Sequence, residues 1–274
     1  MQLIEALHYG FIQRALVAGI FVSILCAVLG LFLVLRRFSL IGDGLAHVTF
    51  GSVALGLFWG IYPLYASIPL VCISSLGILR LTQRARIHAD AAIGIVSSLG
   101  ISIGIVVASI AGGFNIDLFS YLFGNILAIS RTEVVLSVAL SLGLIMAVAV
   151  FYYDLFSVTF DENYARVSGI KTGAVNRVLV VLTSLTVVLA MKVVGIMLVS
   201  SLLILPAVTA LQLGRGFKAT LFIAGLAAVC AVVLGIFVSF AFNLPTGAVI
   251  VLMSFFCLLL AFVAGRLLRI RGAA

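Results

Sequence analysis

Arg36-Arg37-Phe38-Ser39-Leu40-Ile41-Gly42-Asp43-Gly44-Leu45-Ala46-His47-Val48-Thr49-Phe50-Gly51-Ser52 is the stretch on which the reading of this chain turns. Residues 15–35 before it are apolar and carry no charge, and the run from Leu40 to about residue 60 is again apolar except for Asp43 and His47. About 20 apolar residues cross roughly 30 Å of hydrocarbon, so the arginine pair reads as the turn between two membrane helices. The pattern continues along the chain. Of 274 residues 65% are hydrophobic and 9% charged, against about a quarter charged in soluble domains, which excludes a soluble fold.

The same window predicts spans near 15–35, 40–60, 62–79, 91–111, 132–152, 177–191, 194–213, 219–241 and 246–265. The fold class is therefore all-α, a polytopic membrane protein of eight or nine helices. The uncertain place is 177–213, where Lys192 interrupts a run too long for one helix and Gly195 suits a tight hairpin. A shorter apolar stretch, 116–129, has the length of a re-entrant or interfacial helix. The N-terminus lacks a basic leader region and a small-residue cleavage site, so the first span reads as an uncleaved helix.

With the N-terminus outside and the C-terminus in the cytoplasm, only Arg14, Arg131 and Lys192 of the 16 basic residues lie outside. The opposite orientation inverts that ratio, and the positive-inside rule selects the first. The net charge of +8 thus expresses orientation, and no nucleic-acid partner is expected. Cys26, Cys72, Cys230 and Cys257 lie singly within apolar runs and read as small hydrophobes. Small residues four apart, Ser52 with Gly56, Gly94 with Ser98 and Ser102, and Gly100 with Gly104, predict close helix packing.

Few ionisable side chains remain within the spans. Asp43 and His47 are four apart, on one helical face. A carboxylate in hydrocarbon costs at least ~2.5 kcal/mol, which places Asp43 toward the bundle interior or a wet cavity. The pair offers an oxygen and a nitrogen to one cation, fewer ligands than zinc takes, so a two-fold dimer that doubles the set is expected. The alternative is a hydrogen-bonded Asp–His clasp that pins helix packing. A second constellation runs from 159 to 170: Thr159 or Asp161 suits a helix N-cap, acids fill the first turn, and Gly169 suits the position after the end. It reads as a short amphipathic cytoplasmic helix, a lever for a partner. Ser168-Gly169-Ile170-Lys171-Thr172 lacks the glycines of a phosphate loop, so no ATPase site is read in the chain. Lys192 is expected to snorkel or to pair with Asp117 or Glu133.

Four segments, 36–47, 117–128 (DLFSYLFGNILA), 160–170 (FDENYARVSGI) and 190–210 (AMKVVGIMLVSSLLILPAVTA), closely resemble the membrane permease of bacterial zinc/manganese ABC importers. The resemblance runs from about Arg36 to Ala210 in the same order. It implies a type II-like importer fold, a single transmembrane permease domain over 1–274 in the bacterial inner membrane, and ATP hydrolysis by a separate subunit. It implies a homodimer on two ATPase subunits, fed by an extracytoplasmic metal-binding protein. The metal pair would be Asp43 and His47, and the ATPase-coupling segment near 159–170 would use Asp161, Glu162, Ala165 and Gly169. No permanently bound cofactor is implied; the divalent metal is cargo. Leu122-Phe123-Gly124 with Asn125-Ile126-Leu127 looks more like zinc members than manganese ones, while manganese or ferrous iron stays open. A rival reading is an ATP-independent secondary transporter with Asp43 and His47 as a proton relay.

Overall fold

The computed structural model describes residues 8–83, 85, 87–113, 121–124, 130–191, 193–214 and 216–272. In chain order the helices are α1 (Gly10–Leu35), α2 (Ile41–Phe58), α3 (Pro63–Gln83), α4 (Ala89–Ile110), α5 (Arg131–Val150), α6 (Tyr152–Phe160), α7 (Glu162–Val167), α8 (Thr172–Ala190), α9 (Val199–Leu213), α10 (Phe217–Phe242) and α11 (Thr246–Gly272). A 3₁₀ turn, Ile196–Leu198, leads into α9. Among the described residues nine helices are long and apolar enough to cross a membrane. The region 177–213 therefore holds two of them. The break expected there exists: α8 stops at Ala190, Gly195 takes φ +92, and the 3₁₀ turn leads into α9, but α8 and α9 touch only marginally and do not pack on each other as a hairpin.

The bundle is built around α1, whose apolar length packs against α10, α9, α5 and α8. The interior side chains Leu25, Leu29, Phe32 and Leu33 are completely or almost completely buried. Lipid tails are as apolar as leucine, so helices are held together by shape, and glycines stand where backbones approach most closely. Gly30 on α1 sits against the Leu203 backbone of α9, and Gly235 on α10 against Ile250 of α11. The most extensive helix pair is α2 with α4. Gly51 and Gly100 meet there backbone to backbone, and Gly104 lies under the Phe50 ring. Expected packing is thus found at Gly100 and Gly104. Ser52 also packs inside, its hydroxyl 2.8 Å from that of Ser67 on α3, and Gly56 lies against Pro63 and Ala66. The stripe Gly94, Ser98, Ser102 differs. It lies on the exposed side of α4, and a Cβ at Gly94 would meet nothing within 4 Å.

Most of the stretch expected to be re-entrant, 116–129, lies outside the described residues, as do Asp117 and Lys192. Its described part, residues 121–124, packs inward: Tyr121 and Leu122 are buried, and Gly124 at φ +74 touches the backbone at Val194 and Gly195. Gly247 at the start of α11 closes on the same point. Glu133 completes a capping box with Ser130 at the start of α5, its carboxylate accepting from the Ser130 N–H at 2.8 Å. The Tyr62 hydroxyl of the α2–α3 turn also donates to Glu133. These contacts tie the α2–α3 turn to the start of α5.

The segment after α5 departs from the expected single short helix over 159–170. Helix resumes at Tyr152, runs to Phe160, breaks at Asp161 in extended conformation, and restarts as the six-residue α7. The reason is aromatic packing. Phe156 of α6 lies 4.7 Å from Phe160 and 5.0 Å from Phe217 at the start of α10, and Phe217 lies 5.3 Å from Phe32 of α1. Such ring pairs add about 0.5–1.5 kcal/mol each beyond buried area. They fix α6 against the bundle and leave α7 to project.

Candidate functional site

Asp43 is the third residue of α2, directly after the α1–α2 turn, and His47 follows one helical turn later. The turn is tight. Arg37 adopts φ +55, and the Phe38 N–H bonds back to the Leu33 carbonyl at 2.9 Å, closing α1 before α2 begins. The position of α2 in turn is set by α4. A Cβ added to Gly100 would come within 2.7 Å of the Val48 Cα and 2.9 Å of the His47 carbonyl oxygen, so only glycine lets α4 lie against the His47 turn. Gly44 makes room for Ile93 in the same seam.

His47 Nε2 lies 3.6 Å from Asp43 Oδ2. That is beyond hydrogen-bond length, so the two groups stand side by side without sharing a proton. The Asp43 side chain is 51% exposed and that of His47 20%. Asp43 is thus half-exposed in the single chain, close to the basic end of α2, and is not enclosed in the bundle interior. His47 Nδ1 is buried and has no hydrogen-bond partner among the described residues. A ring nitrogen coordinates a cation through its lone pair, so an imidazole nitrogen that donates no hydrogen is the one that can serve as a ligand. Among the described residues no three His, Cys, Asp or Glu come together as a metal-binding group. The pair thus offers two donors on an open face and needs others from outside the chain to close a coordination shell.

The segment expected to couple to a motor has the predicted ends. The Asp161 carboxylate caps α7, accepting from the Tyr164 N–H at 2.9 Å, and Gly169 at φ +87 follows Ser168 as the left-handed stop, with the Ile170 N–H bonded to the Ala165 carbonyl at 3.0 Å. Thr159, the other N-cap candidate, lies within α6, its hydroxyl buried without a partner among the described residues. Ala165 is fully buried, whereas Asp161 and Gly169 are exposed. So α7 presents its two ends outward and rests on its middle.

Glu162 lies apart from that exposed surface. Its carboxylate stands 3.6 Å from the Arg36 guanidinium and 3.8 Å from that of Arg166, and it accepts from Asn176 Nδ2 at 3.3 Å. Arg36 is only 16% exposed; burial pulls its guanidinium below the usual range, and Glu162 pulls it back up. This inward tie joins α7, the start of α8 and the α1–α2 turn seven residues before Asp43. Sequence reasoning assigned Arg36 to topology and Glu162 to the motor, and missed the contact. The only available signal was an acid in the first turn of a short helix that already had an N-cap.

One consequence is measurable. Glu162→Gln should destabilise the folded chain by about 1–2 kcal/mol, because Arg36 keeps its burial and loses its counterion. Arg36→Gln combined with Glu162→Gln should recover part of that loss in a double-mutant cycle read by thermal unfolding in detergent. Strict additivity of the two single changes would refute the tie.

Comparison with known proteins places this geometry in context. The description "ABC 3 transport family" applies to a family profile that matches residues 8–265. The chain is 34% identical to the manganese transport system membrane protein MntC of Halalkalibacterium halodurans, over 94% of this chain and 88% of that one. It is 31% identical to the high-affinity zinc uptake system membrane protein ZnuB of Haemophilus influenzae, over 90% and 95%. The solved structure of PsaBC from Streptococcus pneumoniae in complex with Fab superimposes with a TM-score of 0.83 at 32% identity, covering 95% of this chain and 94% of that one.

Proposed function

Given that the chain belongs to the ABC 3 transport family, we propose that it is the membrane permease of an ATP-driven importer, and that Asp43 and His47 carry a divalent metal ion, zinc first, into the cytoplasm. The observation that carries this reading is the pair itself: a carboxylate and an imidazole 3.6 Å apart, unbonded to each other, on an accessible face of α2. Two copies of the chain meeting along that face would supply two carboxylates and two imidazoles, a donor set suited to zinc. In this reading the N-terminus lies outside and the C-terminus inside, which the distribution of Lys and Arg along the chain supports. The extracytoplasmic binding protein then delivers to the end of the bundle that holds Trp59, Tyr62 and the start of α5.

Two ATPase subunits supply the energy from the other end. Their contact is with the exposed ends of α7, Asp161 and Gly169, and movement of α7 reaches α2 through Glu162 and Arg36. Because Arg36 lies in the turn that launches α2, a displacement of α7 changes the setting of Asp43 and His47. A site that held the ion equally well in both states would trap it, so the two settings differ in affinity. Two copies that separate their α2 helices halve the donors offered to one ion, which releases it.

A second reading, manganese, is favoured by the identity to a relative named for manganese transport. Carboxylate and imidazole donors accept both ions. The two are separated by growth of a strain deleted for this chain on metal-depleted medium. Restoration by added zinc and not by manganese is the expected result. Restoration by manganese alone would replace zinc by manganese, and the absence of any metal requirement would overturn the reading. The proton-relay alternative predicts uptake that persists in cells depleted of ATP.

A further inference from the structure

At the basic end of the bundle, a cavity of about 550 Å³ opens between the end of α3, the Ile170–Lys171 turn after α7, and the start of α8. Four cations line it: Arg80, Arg166, Lys171 and Arg177. Among the described residues no acidic side chain does. Arg166 stands 3.8 Å from Glu162, which lies outside the cavity, while Arg80, Lys171 and Arg177 take part in no ion pair among the described residues. The first turn of α8 adds its own partial positive charge: its Thr172 and Ala174 N–H groups bond to the Ile170 and Lys171 carbonyls, and no side chain caps it. Gly173 leaves that first turn bare, with nothing within 4 Å of where a Cβ would stand. Four like charges around one cavity and a helix N-terminus repel one another unless an anion lies between them.

The rest of the lining identifies the kind of anion. Leu76, Leu79 and Ile170 form an apolar wall beside the cations. The outward face of α3 leads into that wall: Pro69 and Ile73 are exposed, Ile73 by 66%, and Gly77 one turn on leaves open space where a side chain would be. Arg80 ends the stripe. An open apolar track along a membrane helix that finishes at a basic cavity matches an acyl chain joined to a phosphate, and basic pockets between helices at the membrane surface hold such headgroups. Free phosphate would use the cations and leave the track idle.

We propose that this cavity binds the phosphate headgroup of an anionic phospholipid, with its acyl chain along the Ile73–Gly77 face of α3, and so fixes the end of α3 to the turn that carries α7. The proposal requires the membrane-spanning fold and is independent of which metal is carried.

The test is native mass spectrometry of the purified full-length chain in detergent, titrated with phosphatidylglycerol or phosphatidylcholine. Wild type should retain phosphatidylglycerol over phosphatidylcholine by at least roughly tenfold. Arg80→Gln, Lys171→Gln and Arg177→Gln combined should abolish that preference. Arg80→Lys with Arg177→Lys should keep it, which guards against loss through misfolding. Gly77→Phe, which blocks the track and leaves every charge in place, should weaken retention severalfold. Equal retention of the two lipids by wild type, or an unchanged preference in the triple variant, would overturn the proposal. Full displacement by millimolar inorganic phosphate, with Gly77→Phe without effect, would overturn it in favour of a free-anion site.

Discussion

Asp43→Asn and His47→Ala should each lower metal uptake by about a hundredfold or more, to the level of cells lacking the chain, with the protein still present in the membrane. Changing even a residue that only supports a metal ligand costs 10–100-fold in affinity or activity, and these two are the proposed ligands themselves. In a dimer each substitution acts twice, so the shared set falls from four donors to two. The stability cost should be small, within about 1 kcal/mol, because no hydrogen bond joins the two side chains and Asp43 is half exposed. That combination separates a transport site from a structural clasp, which would lose stability and transport together. The measurement is uptake of radiolabelled zinc by intact cells, with membrane abundance scored by immunoblot. Ordinary uptake in both variants would remove Asp43 and His47 from the site.

Gly100→Val should have the largest effect on folding, costing about 3 kcal/mol or more and removing most of the protein from the membrane. Overpacking against mobile side chains costs about 1–3 kcal/mol because the neighbours can shift. Here the neighbours are the Val48 backbone and the His47 carbonyl, at 2.7 and 2.9 Å from the added Cβ, and they move only if α2 and α4 separate. Any protein that still folds should transport poorly, since the displaced turn is the one that holds His47. Gly94→Val is the matched control. It lies on the same helix with nothing within 4 Å of its Cβ, and it should be close to neutral in abundance and thermal midpoint. If both variants behaved alike, helix propensity rather than interhelical contact would explain them, and the α2–α4 seam would lose its role in positioning the site.

Both predictions use glycines whose importance was only half visible in the chain. Spacing singled out Gly94, Ser98 and Ser102 as readily as Gly100 and Gly104, because a four-residue repeat specifies a helical face and not what lies opposite. The partner of Gly100, Gly51, belongs to no repeat that drew attention. The left-handed Gly124 and Gly195, which bring the Tyr121–Gly124 segment onto the α8–α9 junction, were separated by too much sequence for any local pattern to join them.

The sequence by itself determined what depends on composition and local spacing. Membrane insertion follows from apolar windows, the expected orientation from where Lys and Arg fall, the adjacency of Asp43 and His47 from a four-residue step, and the ends of α7 from Asp161 and Gly169, because each of these effects acts within one helix or one loop. The tertiary structure alone decided which way those residues face. Asp43 stays half-exposed, α4 bears on the His47 turn, and Glu162 reaches Arg36, because each depends on groups distant in sequence that packing brings together. Charge scarcity marked the candidate residues; only packing showed that Glu162, one of the acids expected to meet the motor, is tied inward to Arg36 in the turn that leads into Asp43 and His47.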